Sequence, residues 1–494
     1  MRAQIIEAET EHTPLTLAQQ INDEAGLIVL QSALFQSPDV RFSLVAARPF
    51  AQLEADGSRC RLRNTEREST HYSNPWHLLD HLLLEYELLE EPDLPFPLGG
   101  AFGYWGYEMN RQLSDKLASK AARMVEVPDL CLGFYNSLCV FDHPLQKAWI
   151  VSTGMQFDGS RSATVTQENI RWWTQQLQTP PRPSTPKTIA APPDKQTLGS
   201  NLSREEFIER VERAKDYIHS GDIYQINLSH RLELPFEGDC LDVYNRLTDV
   251  SPAPYAAYLD FGGGWQIASA SPESFLRISG RHIRTRPIKG TRPRSNDPQR
   301  DAQLTYELQS SPKELAELIM ITDLLRNDLG QICGFGSVTV PDLVRLERYP
   351  QVQHLVSTVE GTLRTGLTHV QALAACFPGG SITGAPKLRA MQIIDELEPI
   401  ARGPYTGAIG FVGFNRESHF SIGIRTALRV ENRLFFNVGA GIVADSDPAA
   451  EYEETIDKAQ GFLETLSLDR WEFHSQHHRQ RLAQTKYRLP HHGD

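Results

Sequence analysis

Apolar positions along the chain recur with two periods. Residues 75–91, PWHLLDHLLLEYELLEE, place leucines three and four apart, which predicts an amphipathic helix. LIVLQSALF (27–35) and FSLVAARPF (42–50) have strand composition instead. GGAFGYWGYEMNR (99–111) mixes glycine with aromatics, as in a strand or bend where backbones come close. A helix is expected after Ser203, because Glu206 completes a capping-box pattern ahead of FIERVERAKDYIHSG and Gly221 can close it. From 223 to about 290, strand-like runs alternate with Pro/Gly turns. Helices follow at 312–329 and at 386–397, the second with Pro386 at its start. Strands are expected at 405–414, 419–430 and 433–443, then a last helix from about 448 to 466. This mixture lacks strict βα alternation, so the fold class is α+β.

Residues 179–200 hold six prolines in 22 positions and form the linker candidate. It separates residues 1–178 from 201–467. The tail, 468–494, is polar and carries His474, His477, His478, His491 and His492; it reads as a loosely ordered end.

Composition narrows the function classes. A net charge of -13 over 494 residues, without a basic cluster interleaved with aromatics, argues against nucleic acid as a partner. No apolar run approaches the ~20 residues that span a bilayer, so no membrane segment is expected. The first residues turn acidic without a long apolar core, which is unlike a signal peptide. The six cysteines form no CxxC pair and read as reduced thiols of a cytoplasmic protein. GGSITGAPK (379–387) is not a phosphate loop, since Ala385 and Pro386 separate Gly384 from Lys387. His77 and His81 lack the glutamate of a zinc-protease helix.

Two helices each carry glutamates three apart, Glu314 with Glu317 and Glu451 with Glu454, so each pair shares one helix face. Either could be a solvated acidic stripe. Glu317, however, precedes the apolar run LIMITDLL and lies near a buried face, where a carboxylate wants a cation. Two carboxylates from separate helices with open positions suit Mg²⁺. Gly439 and Gly441 place a glycine turn before the second pair, where backbone N–H groups could face an anion. Arg425 follows an alternating strand pattern, and Lys458 lies one helical turn beyond Glu454. Lys289, between Ile288 and Gly290, is either a turn lysine or a nucleophilic amine with Arg286, Arg292 and a metal as neighbouring cations. Glu273, after a proline at a turn, could serve as a general acid in a partly apolar pocket.

These pieces stand among longer motifs: SGDIYQINLSH (220–230), SPAPYAAYL (251–259), ASPESF (270–275), TRPIKGTRPR (285–294), DLLRNDLG (323–330), VQHLVSTVEG (352–361), FPGGSITGAPKLRAMQIIDELEP (377–399), GPYTGAIGF (403–411) and GAGIVADSDPAAEYEETIDK (439–458). Together they closely resemble the chorismate-utilising enzymes, the family of anthranilate, aminodeoxychorismate, isochorismate and salicylate synthases. The match is dense over 203–466 and looser before it, where residues 1–178 resemble the N-terminal domain of the anthranilate synthase large component.

The resemblance implies a large two-sheet antiparallel sandwich with outer helices, its two regions interleaved. It implies Glu317 and Glu454 as direct Mg²⁺ ligands, with Glu314 and Glu451 behind them. Arg425, Tyr405, Lys458 and the backbone around Gly439 and Gly441 would grip substrate carboxylates, His354 and Ser381 would line the ring site, and Glu273 would protonate the departing C4 hydroxyl. Lysine at position 289 marks the members that aminate chorismate at C4, through a covalent intermediate on that lysine, toward p-aminobenzoate and folate. Gln225 stands where water-activating relatives carry lysine. The chain has no glutaminase module, which implies a separate glutamine amidotransferase subunit as ammonia source. Ser32, Pro254 and Tyr255 fit the pattern that holds tryptophan in relatives, from which the Asp39–Val40 pair departs. The alternatives are anthranilate synthase component I and a non-catalytic chorismate- or tryptophan-binding relative.

Overall fold

The computed structural model describes residues 2–32, 40–88, 90–117, 121–181, 198–349 and 352–468. Among them, two sheets of twelve strands each account for nearly all the extended segments. The predicted linker's residues 182–197, the tail from 469 and Asp39 lie outside the described residues.

The first sheet runs from Gln4–Ala8 through Lys147–Ser152, Ser137–Asp142, Phe42–Ala46 and Leu27–Gln31. It continues with Tyr255–Asp260, Trp265–Ser271, Thr426–Val430, Arg433–Ile442 and Gln225–Pro235. The second sheet runs from Ile288–Pro293 through Val352–Thr362, His282–Arg286, Ser274–Ser279, Glu417–Ile422 and Ala408–Gly413. It then passes to Gly100–Trp105, Leu130–Tyr135, Ala51–Asp56 and two further strands. Strands from before and after the proline-rich stretch therefore meet in both sheets, Leu27–Gln31 with Tyr255–Asp260 and Gly100–Trp105 with Ala408–Gly413, all antiparallel.

Period-two alternation sorts the side chains. On Leu27–Gln31, Ile28 enters the core between the sheets, while Leu27 and Val29 point to the opposite face. That outer face is covered by the helices Ala163–Gln178, Cys240–Val250 and Pro448–Thr465, which bring in Trp173, Tyr244 and Phe462. Further along, Arg204–His219 and Lys387–Leu397 cover Gln225–Pro235 with Phe207, Val211, Ile393 and Ile394. The glycines of 99–111 are required by close approach: a Cβ on Gly103 would lie 2.1 Å from the Cys131 carbonyl oxygen.

The architecture is the two-sheet α+β sandwich expected. The capping box also forms, with Glu206 N donating to Ser203 Oγ at 3.1 Å and Ser203 N donating to Glu206 Oε2 at 2.9 Å. Three local expectations are corrected. The helix from Pro75 ends at Glu85 rather than 91. Within the strand-like region, 240–250 is a helix, capped by Asp239 Oδ1 accepting from Leu241 N. The single strand expected at 419–430 is two strands in different sheets, Glu417–Ile422 and Thr426–Val430. The chain changes sheets at Gly423–Arg425, where a Cβ on Gly423 would lie 2.3 Å from the Pro404 carbonyl oxygen.

Candidate active site

A cleft of about 590 Å³ opens between the helices Pro312–Gly330 and Pro448–Thr465 and the strand ends beside them. Lys289 reaches it from Ile288–Pro293, whose pairing with Val352–Thr362 slips between Lys289 and Thr291. Gly290 makes the slip possible. Its φ is +66°, and a Cβ would stand 2.6 Å from Leu308 Cδ1 and 3.1 Å from Glu314 Oε2. Such a bulge re-aims the neighbouring side chain. Thr291 bonds His354 Nδ1 at 2.9 Å, and desolvation holds His354 neutral by lowering its pKa to about 4.

Four carboxylates face four cations here. Lys289 Nζ stands 3.7 Å from Glu317 Oε2, Arg292 Nη1 3.5 Å from Glu314 Oε1, Lys313 Nζ 3.7 Å from Glu451 Oε1, and Lys458 Nζ 2.7 Å from Glu454 Oε1. Burial lowers the Lys313 pKa, but the fields of Glu451, Glu317, Glu454 and Glu314 together outweigh it and raise it. Burial likewise pushes Glu454 up, while Lys458, Lys313 and Lys289 overcome it and hold that carboxyl below its ordinary value. Glu451 lies behind the cleft wall and does not line it. Burial raises its pKa, its Oε1 accepts from Ser446 Oγ at 2.6 Å, and its Oε2 is buried without a partner among the described residues. The expected cations beside Lys289 are thus already matched, Arg292 to Glu314 and Arg286 to Glu347.

The donors fit a hard divalent cation. Glu317 and Glu454 line one cleft from two helices, every donor is a carboxylate oxygen, and Glu451 has spare acceptor capacity. Among the described residues no three His, Cys, Asp or Glu side chains close into a complete ligand set. An ion held by one or two carboxylates and otherwise by water or ligand oxygens is Mg²⁺-like.

Arg425 marks the other end. The sheet change places it at φ +49°, not in the regular strand that its sequence pattern suggested. Its side chain is open to the cleft interior, yet surrounding protein desolvates it and lowers its pKa. No carboxylate among the described residues pairs with it, so an anion entering the cleft meets an uncommitted guanidinium. Tyr405 stands nearby, its pKa pushed up to about 12 by burial against the pull of Arg402. Behind it, Arg402 pairs with Glu398 at 2.7 Å and lies 5.9 Å from the Tyr405 ring centroid. Gly439 and Gly441 lie within the strand Arg433–Ile442, opposite Ser229 and Asn227, rather than in the turn expected. Their lack of Cβ admits neighbours: one on Gly439 would sit 2.8 Å from Tyr405 Oη, and one on Gly441 2.9 Å from Gln225 Nε2. Gln225 is buried behind Gly441, outside the cleft lining, with Oε1 unpartnered among the described residues. Lys458 Nζ also donates to Gly439 O at 2.9 Å.

Glu273 is buried at the cleft wall. Burial raises its pKa, opposed by a hydrogen bond from Ser381 and the charge of Lys289. A carboxyl so placed is suited to hold a proton and give it up.

The cleft therefore gathers Glu273, Lys289, Glu314, Glu317, His354, Ser381, Tyr405, Arg425, Gly439, Gly441, Glu454 and Lys458. It excludes Glu451, Gln225, Ser32, Pro254 and Tyr255. The last three line a separate cavity of about 60 Å³ between the sheets. Asn227, Thr291 and Lys313 were not anticipated. Lys313 is four residues before Glu317 on the same helix, and Asn227 two after Gln225 on the same strand; both spacings were available as signals.

Residues 30–464 match the family described as chorismate binding enzyme. The chain is 39% identical over 448 residues to aminodeoxychorismate synthase component 1 of Salmonella typhimurium, covering 90% of this chain and 94% of that one. It is also 39% identical over 447 residues to anthranilate synthase component 1 of Synechocystis, covering 86% and 88%. The crystal structure of anthranilate synthase component I from Streptococcus pneumoniae superposes with a TM-score of 0.75 at 31% identity, covering 87% of this chain and 94% of that one. The menaquinone-specific isochorismate synthase of Escherichia coli, at 18% identity and TM-score 0.69 over 94% of each chain, shares the fold. No helix among the described residues is long and apolar enough to cross a membrane.

Proposed function

The chain belongs to the chorismate-binding enzymes, and within that family we propose that it is the large component of an aminodeoxychorismate synthase. It acts on chorismate. The observation that carries the finer reading is Lys289 itself, delivered into the cleft by the Gly290 bulge, beside Glu317 and within the field of Glu273.

Arg425 and Tyr405 bind substrate carboxylate at one end of the cleft. A Mg²⁺ held by Glu317 and Glu454, with Glu314 and Glu451 behind them, would neutralise carboxylate charge at the other. Lys289 Nζ bonds to C2, both ring double bonds shift (C1=C2 to C1=C6 and C5=C6 to C4=C5), and the C4–O bond breaks. Glu273 supplies the proton with which the hydroxyl leaves as water. Ammonia then bonds to C4, both double bonds shift back, and the C2–N bond to Lys289 breaks. Chorismate and ammonia become 4-amino-4-deoxychorismate and water, on the way to p-aminobenzoate and folate. A separate glutamine amidotransferase subunit supplies the ammonia. Six free cysteines suit a reducing cytoplasm.

The equal identity to the Synechocystis relative supports a second reading, anthranilate synthase, in which ammonia rather than Lys289 attacks C2. Mass spectrometry of the protein incubated with chorismate and Mg²⁺ but no ammonia separates the two. An adduct on the Lys289 peptide, discharged by ammonia to the C4 amine, is expected. No adduct, with anthranilate formed once ammonia is added, would establish the second reading.

A further inference from the structure

The segment GGSITGAPK, whose order excludes a phosphate loop, ends in a lysine that the chemistry above does not use. Lys387 opens the helix Lys387–Leu397, and Cys376 ends the helix His369–Cys376. The loop between them, 377–386, carries Ser381 to the cleft. Lys387 Nζ turns back and donates to Cys376 O at 2.8 Å and to Asp328 Oδ2 at 2.6 Å. The pair is nearly enclosed, its side chains 15% and 4% exposed. Asp328 lies in the last turn of Pro312–Gly330, the helix whose first turns hold Glu314 and Glu317. One ammonium therefore ties both ends of the Ser381 loop to the helix of the first carboxylate pair.

The loop also presses on that helix directly, since a Cβ on Gly380 would stand 2.4 Å from Leu324 Cδ2. Its far side is held where Ile382 O accepts from Arg402 Nη1 at 3.1 Å and from Asn227 Nδ2 at 3.2 Å. Ser381 is held between these fixings, and its hydroxyl bonds the Glu273 carboxyl.

We propose that Lys387 is a positioning residue for the reaction: bridging Asp328 and Cys376 O, it sets the loop so that Ser381 meets Glu273. This rests on the role of Glu273 as acid given above.

Removing one partner of an enclosed ion pair leaves a bare charge and can unfold the protein. The test is therefore Lys387→Met/Asp328→Asn, assayed as chorismate consumption with Mg²⁺ and an ammonium salt, alone and combined with Ser381→Ala. The expected result is a kcat at least tenfold lower, a KM for chorismate within threefold of the parent, and little further loss in the Ser381→Ala background. Lys387→Arg, which keeps a cation and donors, should recover most of the rate. Asp328→Asn alone, which leaves Lys387 an amide oxygen, should show a smaller loss that is again absorbed by Ser381→Ala. An unchanged kcat in the double variant, or losses that multiply fully with Ser381→Ala, would overturn the proposal. Loss of the C4 hydroxyl is common to both readings of the product. Anthranilate from the parent enzyme would thus refute C4 amination while leaving this test readable.

Discussion

The candidate active-site cleft and the small cavity beside Ser32 and Tyr255 each contain one histidine that desolvation keeps neutral, His354 at about 4 and His419 at about 3. Around those histidines the two places differ. The cleft is walled by three carboxylate–cation pairs, by Lys313 with its partner Glu451 behind the wall, and by Arg425, which no carboxylate among the described residues matches. The small cavity is walled by Leu30, Phe42, Leu44 and Phe411, with hydroxyls from Ser32 and Ser421 and, among the described residues, no carboxylate, lysine or arginine. Paired charges can exchange partners when a dianion and a divalent cation arrive together, so an ionic ligand enters without stranding a buried charge. The small cavity offers nothing to exchange. Its 60 Å³ is room for a few waters, at roughly 10–15 Å³ each, so a tryptophan would have to move its walls.

The comparison can be broken at several points. Glu273→Gln should cost the most, about 10²–10⁴ in kcat with KM for chorismate nearly unchanged, because only proton donation is removed. Equal losses in kcat and in binding would remove Glu273 from the acid's role. Glu317→Gln should raise the Mg²⁺ concentration for half-maximal rate by about 10–100-fold, the usual scale for damage around a metal site. An unchanged Mg²⁺ titration would exclude Glu317 as a ligand. Arg425→Gln should raise KM by about 10–100-fold, the scale of ~1.5–3 kcal/mol for a hydrogen bond to a charged group. A KM that stays put would mean that substrate carboxylate binds elsewhere.

The histidines sharpen the comparison more gently. Each has a folded pKa below its unfolded value of about 6.5, so the unfolded chain binds more protons in acid. Stability is full above about 6.5 and falls as pH drops toward 4 for His354 and 3 for His419, by at most about 1.4 kcal/mol per unit for each. His354→Gln and His419→Gln should each flatten the melting-temperature profile between pH 7 and 5. A slope as steep as the parent's would show that the replaced ring titrates freely. The smallest effect is expected from millimolar tryptophan, which should change turnover less than twofold. Strong inhibition would reveal that the small cavity opens.

Much of the cleft was legible because its chemistry sits in short, ordered motifs. Glu314 and Glu317 share a helix face by spacing alone, and Lys289 precedes a glycine whose left-handed backbone could be suspected. What stayed hidden depends on contacts remote in sequence. Alternation runs straight through 419–430, because Arg425 falls in the polar phase of the pattern although the chain changes sheets at Gly423–Arg425. The Arg402–Glu398 pair behind Tyr405 and the Asp328–Lys387 tie join residues that no local pattern connects to the site. The helix Cys240–Val250 was obscured by Val243 and Tyr244, strand formers by composition that here pack against the outer face of the first sheet.

The seams where Leu27–Gln31 meets Tyr255–Asp260 and Gly100–Trp105 meets Ala408–Gly413 bear on any attempt to miniaturise the enzyme. A recombinant fragment limited to residues 201–467 would retain every side chain of the cleft but expose two bare ladders of backbone donors and acceptors. Such edges recruit other chains. The fragment should therefore precipitate on expression, whereas co-expression with residues 1–178 should return a soluble two-piece enzyme.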